Sequence, residues 1–482
     1  MQLTNQELLR RSAYINGKWT DGGSVFPVYN PATGVEITTV ADTDEALTNQ
    51  AVAAAAAAFP AWRDRTAEER ADILLNWYRL ILDNKEDLAQ LLTAEQGKPL
   101  RESRGEVAYG ASFVRWFAEE GRRAYGDVIP PHAANKRIVV LKQPVGVVAA
   151  ITPWNFPNAM ITRKVAPALA VGCTVIVKPA EDTPLSALAL AALAEQAGFP
   201  PGVFNVLPTS HPEAVGGVLT ASSVVRKLSF TGSTAVGKEL MRQCAGTLKK
   251  LSLELGGNAP FIVFNDADPD AAVEGAIASK FRNAGQTCVC ANRLYVQAEI
   301  HDTFVEKLTA AVRALKVGEG NEEAVDIGPL INKDGLEKVE SLVADATEQG
   351  AEIICGAKRS EPGDLFYEPT ILTGAKASMK LAQEEIFGPV APVFRFADEQ
   401  EVIQLANDTN VGLAAYFYGR DHARIWRVAE ALEYGMVGIN TGMISTAVAP
   451  FGGVKESGFG REGSKYGLED YLVTKYLCWQ ID

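Results

Sequence analysis

Apolar residues recur at helical spacing, with few breakers, through Asp44 to Ala58, Ala67 to Leu92 and Leu100 to Glu120, and this periodicity predicts a helical first third of the chain. The pattern then changes. Val145 to Ile151 is a continuous apolar run ending at Thr152-Pro153-Trp154-Asn155, followed by a helix through Ala170, a strand from Thr174 to Val177 and a helix from Ser186 to Ala197. Another short strand, Lys227 to Phe230, passes through Thr231-Gly232-Ser233 into a helix ending at Cys244. Uninterrupted apolar strands joined through helices are covered on both faces, which predicts parallel, doubly wound sheet. The alternation restarts with strands at Pro260 to Phe264, Arg293 to Gln297 and Ala391 to Phe396, and helices at Asp270 to Phe281 and His301 to Ala314. The expected class is α/β, with two doubly wound parallel-sheet domains meeting near Glu254 to Asn258. Lys136 to Lys142 and Tyr471 to Trp479 read as strands with no helix to cover them. Their open edges are best satisfied by another subunit, so they are expected to form a small β oligomerisation arm.

Composition narrows the partners. The 482 residues suffice for about three domain-sized units. At 47% hydrophobic and 22% charged, the chain is close to an average soluble protein. A net charge of -13 argues against nucleic acid and anionic membrane as partners, since both demand a basic surface. Six Cys without a disulfide or Cys-x-x-Cys framework fit free thiols in a reducing compartment, and no metal site is read from the sequence. The first residues lack a signal-peptide pattern, and no run of about 18 apolar residues offers a membrane span. A cytoplasmic location is the expectation.

Two segments carry the chemistry. Phe281-Arg282-Asn283-Ala284-Gly285-Gln286-Thr287-Cys288 offers a thiol in a Gly- and amide-rich turn, and Leu253-Glu254-Leu255-Gly256-Gly257-Asn258 offers a carboxylate beside two glycines. A Cys is most often a small buried hydrophobe. A thiolate is also a strong nucleophile toward carbonyl carbon, and a carboxylate within reach activates the thiol or a water, as covalent acyl chemistry requires. The Gly-x-Gly-x-x-Gly fingerprint is absent; Phe230-Thr231-Gly232-Ser233-Thr234-Ala235-Val236-Gly237 stands in its place, a strand turning into a helix whose first amides suit a pyrophosphate. Gly232 to Lys238 also matches most of a phosphate loop, but Glu239 stands where a magnesium-ligating Ser or Thr is required. A cofactor-independent thiol hydrolase is a remote alternative. Such enzymes pair the thiol with a His, and His132, His211, His301 and His422 lie far in sequence from the other motifs.

With Pro153-Trp154-Asn155-Phe156-Pro157, Lys178-Pro179-Ala180-Glu181, Phe230-Thr231-Gly232-Ser233, Leu253-Glu254-Leu255-Gly256-Gly257, Gly285-Gln286-Thr287-Cys288, Glu385-Ile386-Phe387-Gly388-Pro389 and Pro450-Phe451-Gly452-Gly453 in order, the chain resembles the aldehyde dehydrogenase superfamily from roughly Ala13 to Asp482. Ser279-Lys280-Phe281-Arg282-Asn283, Cys288-Val289-Cys290 and Gly460-Arg461-Glu462-Gly463-Ser464-Lys465-Tyr466-Gly467 make it most similar to succinate-semialdehyde dehydrogenases. The resemblance implies a dinucleotide-binding domain over 1–121 and 144–254, a catalytic domain over 255–450, and oligomerisation strands over 122–143 and 465–482 in a dimer of dimers. It implies Cys288 as nucleophile, Asn155 and the Cys288 amide as oxyanion donors, Glu254 as general base, and Lys178 with Glu462 as helpers in proton relay. Cofactor contacts carried over are Thr152, Pro153, Trp154, Lys178, Glu181, Gly232, Ser233, Leu255, Glu385 and Phe387. Glu181 favours NAD, with NADP possible. The substrate implied is succinate semialdehyde, as in γ-aminobutyrate degradation, its carboxylate held by Arg163, Arg282 and Ser445. Thr446-Ala447-Val448 departs from the subfamily at the substrate mouth, which leaves glutarate semialdehyde or a broader aldehyde range open. The resemblance also implies Cys290 as a redox partner of Cys288.

Overall fold

The computed structural model describes residues 1–481; Asp482, the last residue of the expected C-terminal strand, lies outside them. Two large sheets dominate. In the first, strands Phe204–Val206, Thr174–Lys178, Val147–Ile151, Val225–Thr231 and Lys250–Glu254 run parallel in that spatial order. Thr174–Lys178 is buried at every position, as a strand covered by helices on both faces must be. The helices Ala159–Val171 and Pro184–Ala197 supply that cover and are almost wholly buried themselves. In the second sheet, Thr370–Thr373, Val390–Phe396, Ala291–Gln297, Ala259–Val263, Ala414–Tyr418 and Met436–Ile439 form the parallel core. Residues 255–258 carry the chain from one sheet to the other. The class is α/β, as expected, but both sheets are mixed. Antiparallel strands flank them, Ala13–Ile15 and Gly458–Phe459 on the first and Glu352–Cys355 on the second.

The register of the first sheet gathers chemistry at one edge. Ile151 lies opposite Lys178 and Phe230, and Thr231 opposite Glu254, so the four motif-bearing strands end side by side. Ligands of open α/β sheets bind beyond such carboxyl ends.

The first third is less helical than its periodicity predicts. Residues 13–42 hold four strands, including the antiparallel pair Ser24–Tyr29 and Glu36–Asp42. The run Ala67 to Leu92 is two helices, Ala67–Asp83 and Lys85–Gln96, broken at Asn84. The two uncovered strands do pair: Leu472–Gln480 runs antiparallel to Lys136–Pro144, with Asp127–Ile129 on its far side. This sheet exposes Val128, Ile129, Tyr476, Leu477 and Trp479. Among the described residues no helix is long and apolar enough to cross a membrane.

Candidate active site

The nucleophile turn is built from backbone that most residues avoid. Asn283, Ala284 and Gly285 have φ of 51°, 54° and 75°, and each non-glycine in the left-handed region costs about 1–2 kcal/mol. Hydrogen bonds hold the turn in place. Asn283 N donates to Glu102 Oε2 at 2.8 Å, and Asn283 Nδ2 donates to Asn155 O at 3.0 Å. Gln286 Nε2 donates to Asn283 O at 3.0 Å, and Gln286 Oε1 accepts from Ile331 N at 2.9 Å. Gly285 tolerates no side chain, since a Cβ would lie 2.2 Å from Gly388 O. Cys288 emerges from this turn partly exposed, and Cys290 N closes a tight turn on Thr287 O at 3.0 Å.

Two cavities meet at Cys288. One, of about 500 Å³, is lined by Pro153, Trp154, Asn155, Gly232, Ser233, Glu254, Leu255, Glu385 and Phe387. The other, of about 280 Å³, is lined by Arg163, Arg282, Ser445, Tyr109, Phe156 and Phe451. Most of the residues expected from sequence to touch cofactor and substrate are thereby divided between two cavities that share one thiol, while Thr152, Lys178 and Glu181 line neither. Lys178 and Thr152 sit at adjoining strand ends, Thr152 N donating to Lys178 O at 3.1 Å. Lys178 Nζ lies 2.9 Å from Glu181 Oε2, and Glu181 lines a neighbouring cleft of about 1000 Å³ that shares Ile331 and Asn332 with the first cavity. Glu462 is engaged elsewhere: buried, it takes hydrogen bonds from Arg163 Nε and Lys164 Nζ. Among the described residues Lys178 and Glu462 therefore hold different partners. Cys290 is buried, its thiol 3.4 Å from Lys280 O, and all six cysteines are free. Sequence reasoning missed Ile331 and Asn332, which line the first cavity just before the helix Lys333–Glu348, and Asp334 and Lys338 on that helix, a segment outside every motif.

Burial sets the charge states. Both carboxyl oxygens of Glu254 are buried with no hydrogen-bond partner among the described residues. Loss of solvation raises this carboxyl well above its ordinary range, the charge of Glu462 adds to the rise, and Arg163 and Lys164 oppose it. The Cys288 thiol is likewise pushed up to about 12 by burial, against the pull of Arg163. Burial raises Glu385 to about 7, opposed by the Gly257 amide 3.3 Å away. Glu462 also loses solvation, but Arg163 and Lys164 more than offset the loss and hold it below the usual range. The resting site thus keeps a neutral thiol, and burial biases Glu254 toward its protonated form. Asn155 Nδ2 spends one N–H on Gln286 O at 3.0 Å and has a second to offer beside the thiol.

The profile of the aldehyde dehydrogenase family matches residues 19–477. The chain belongs to the aldehyde dehydrogenase family. It is 60% identical over 480 residues to a succinate-semialdehyde dehydrogenase [NADP(+)] of Escherichia coli strain K12, covering 99% of each chain. It is equally 60% identical over 480 residues to a glutarate-semialdehyde dehydrogenase of Pseudomonas aeruginosa, again covering 99% of each. The crystal structure of a succinate-semialdehyde dehydrogenase from Burkholderia pseudomallei superposes with a TM-score of 0.99 at 60% identity, over 100% of both chains. Family membership makes the chain an oxidoreductase acting on aldehydes with a nicotinamide cofactor. The larger cavity fits such a dinucleotide. A Cβ on Gly232 would lie 2.4 Å from the Phe230 ring, so the turn stays bare for a close approach. The helix Thr234–Cys244 then begins at Ser233, whose hydroxyl accepts from Val236 N. Its remaining first-turn amides suit a pyrophosphate.

Proposed function

We propose that the protein oxidises a short semialdehyde with a distal carboxylate, succinate semialdehyde first and glutarate semialdehyde second, with NAD preferred. The observation that carries this is the position of Cys288 between a cavity bearing the cofactor motifs and one bearing Arg163 and Arg282. Arg163 is buried with its Nη2 unpartnered among the described residues, and Arg282 stands over the Phe156 ring at 5.2 Å. Two guanidinium groups in one small cavity suit a planar carboxylate. The relatives named for succinate and for glutarate semialdehyde match this chain equally well. A single methylene separates these substrates, and hydrophobic pockets discriminate a methylene by only about 1–3 kcal/mol. Mixing the protein with NAD and each semialdehyde, and following reduced nicotinamide by absorbance, tests the reading. Turnover no faster than with an uncharged aldehyde of equal length would defeat it.

In this mechanism the Cys288 thiol passes its proton to water and the thiolate attacks the aldehyde carbon, forming a thiohemiacetal. The free N–H of Asn155 and the Cys288 amide stabilise the oxyanion. A nicotinamide held by the turn at Gly232 and Ser233 would accept the hydride, which would leave the acyl group on Cys288 as a thioester. Glu254, once ionised, takes a proton from the water that hydrolyses it. Glu462 neutralises Lys164 and pairs with Arg163 Nε, which fixes the Arg163 side chain at the edge of the substrate cavity that it lines. The exposed apolar three-stranded sheet is read as the surface that joins copies into a dimer of dimers.

Arg282→Ala is expected to lower kcat/KM for succinate semialdehyde tens- to hundreds-fold, since a charge-assisted hydrogen bond is worth about 1.5–3 kcal/mol. Uncharged short aldehydes should lose far less. Equal losses for both would make Arg282 structural.

Glu181 carries the cofactor expectation. Its carboxylate, paired with Lys178, would accept hydrogen bonds from adenosine ribose hydroxyls and repel a 2'-phosphate. Although the Escherichia coli relative is named for NADP(+), kcat/KM of this protein should be higher with NAD. A higher value with NADP would refute the assignment.

A further inference from the structure

Behind Asn155 lies an ion pair that the mechanism does not use. Lys98 and Glu106 have side chains 0% and 1% exposed, with Lys98 Nζ 2.6 Å from Glu106 Oε2. Every donor of Lys98 has a target. It also donates to Asn155 O at 2.7 Å and stands 3.7 Å from the centroid of the Phe156 ring. Glu106 is equally committed, its Oε1 accepting from Asn158 N at 2.9 Å and Ala159 N at 3.2 Å, at the start of the helix Ala159–Val171. The segment between Asn155 and Ala159 is therefore gripped at its first carbonyl by a cation and at its last two amides by the matching anion.

A buried ion pair is a poor source of stability. Desolvating two charges costs about what their attraction returns, and well-packed apolar replacements are often neutral or stabilising. What this pair does supply is a fixed place for one carbonyl. Asn155 O receives Lys98 from one side and Asn283 Nδ2, from the nucleophile turn, at 3.0 Å from the other. Fixing that carbonyl restrains the backbone of Asn155 at its C-terminal side, and with the Asn155 Nδ2 bond to Gln286 O it limits where the side-chain amide sits relative to Cys288.

We propose that Lys98 and Glu106 are positioning residues for catalysis: together they hold the Asn155 carbonyl so that the Asn155 amide and the Cys288 turn keep the register an oxyanion hole requires. The proposal rests on the reading of Asn155 as the oxyanion donor. Misplacing a catalytic group by about 1 Å costs on the order of 100-fold in rate.

The test removes both charges at once, so that no lone ion is buried. Lys98→Met with Glu106→Gln preserves volume and leaves an amide oxygen for the Asn158 and Ala159 N–H groups. Thermal melting checks that this variant folds. The burst of reduced nicotinamide on mixing with NAD and succinate semialdehyde should slow by about 30- to 100-fold, with KM for NAD unchanged. In an Asn155→Ala background the same double change should cost less than about threefold, because the group it positions is gone. A wild-type burst in the folded double variant overturns the proposal, and so do equal losses in both backgrounds. Should the double variant fail to fold, Glu106→Gln alone keeps one amide oxygen for the Asn158 and Ala159 N–H groups and removes the acceptor that anchors Lys98. A loss of about tenfold that vanishes in Asn155→Ala would then support the proposal, and a loss unchanged there would refute it. An unimpaired Asn155→Ala would instead remove the oxyanion reading itself, an outcome distinct from additive losses.

Discussion

Cys288→Ala is expected to lose dehydrogenase activity by on the order of 10⁴-fold or more while remaining folded, the size of loss that follows deletion of a nucleophile. The turn that presents Cys288 is held by Asn283 and Gln286, so the fold survives loss of the sulfur. Cys290 cannot stand in for it. That thiol is buried against Lys280 O and lines neither cavity at which Cys288 sits. Circular dichroism and thermal melting check the fold, and nicotinamide absorbance checks activity. Substantial turnover by a folded Cys288→Ala protein would end the covalent mechanism.

Glu254→Gln should separate the two halves of the reaction. Acylation, and with it one burst of reduced nicotinamide, should survive far better than steady-state turnover, which should fall by about 10²- to 10⁴-fold as the thioester accumulates. If the burst and the steady state fall together, Glu254 serves the thiol instead. The sign of the pH dependence follows from burial. The folded carboxyl is raised well above its ordinary 4.5, so its ionised, proton-accepting form appears only at correspondingly higher pH. Wild-type hydrolysis should therefore accelerate as pH climbs through the raised value, and Glu254→Gln should lack that limb. Stability moves the other way. The unfolded chain ionises this group first, so the stability it contributes declines from its unfolded pKa upward and levels off above the folded one. Glu254→Gln should consequently melt at or above the wild-type temperature in alkaline buffer.

What the sequence disclosed was whatever burial writes as a continuous pattern. Thr174–Lys178 and Ala259–Val263 are buried at every position, and their apolar runs are unmistakable. Short strands between turns carry no such mark. Ser24–Tyr29 contains Pro27 and among the described residues pairs only with Glu36–Asp42, and Met436–Ile439 spans four residues whose partner, Ala414–Tyr418, lies well upstream. Their existence depends on long-range pairing that local periodicity cannot register. Asn84 split a helix because its side chain bonds back to Leu80 O, a competitor to helical continuation. At the site, the motifs disclosed the residues that would touch ligand, but not those that hold them. The link between Lys98 and Asn155 spans 57 positions, that between Arg163 and Glu462 spans 299, and nothing in a linear pattern joins them.

The central claim is that an acyl group derived from the semialdehyde rests on Cys288. Its most direct test is mass spectrometry of Glu254→Gln quenched during turnover with NAD and succinate semialdehyde, followed by peptide mapping. A succinyl group is expected on the peptide containing Cys288, absent when NAD is omitted. An unmodified Cys288 under conditions where reduced nicotinamide has formed, or the acyl group on Cys290, would contradict it.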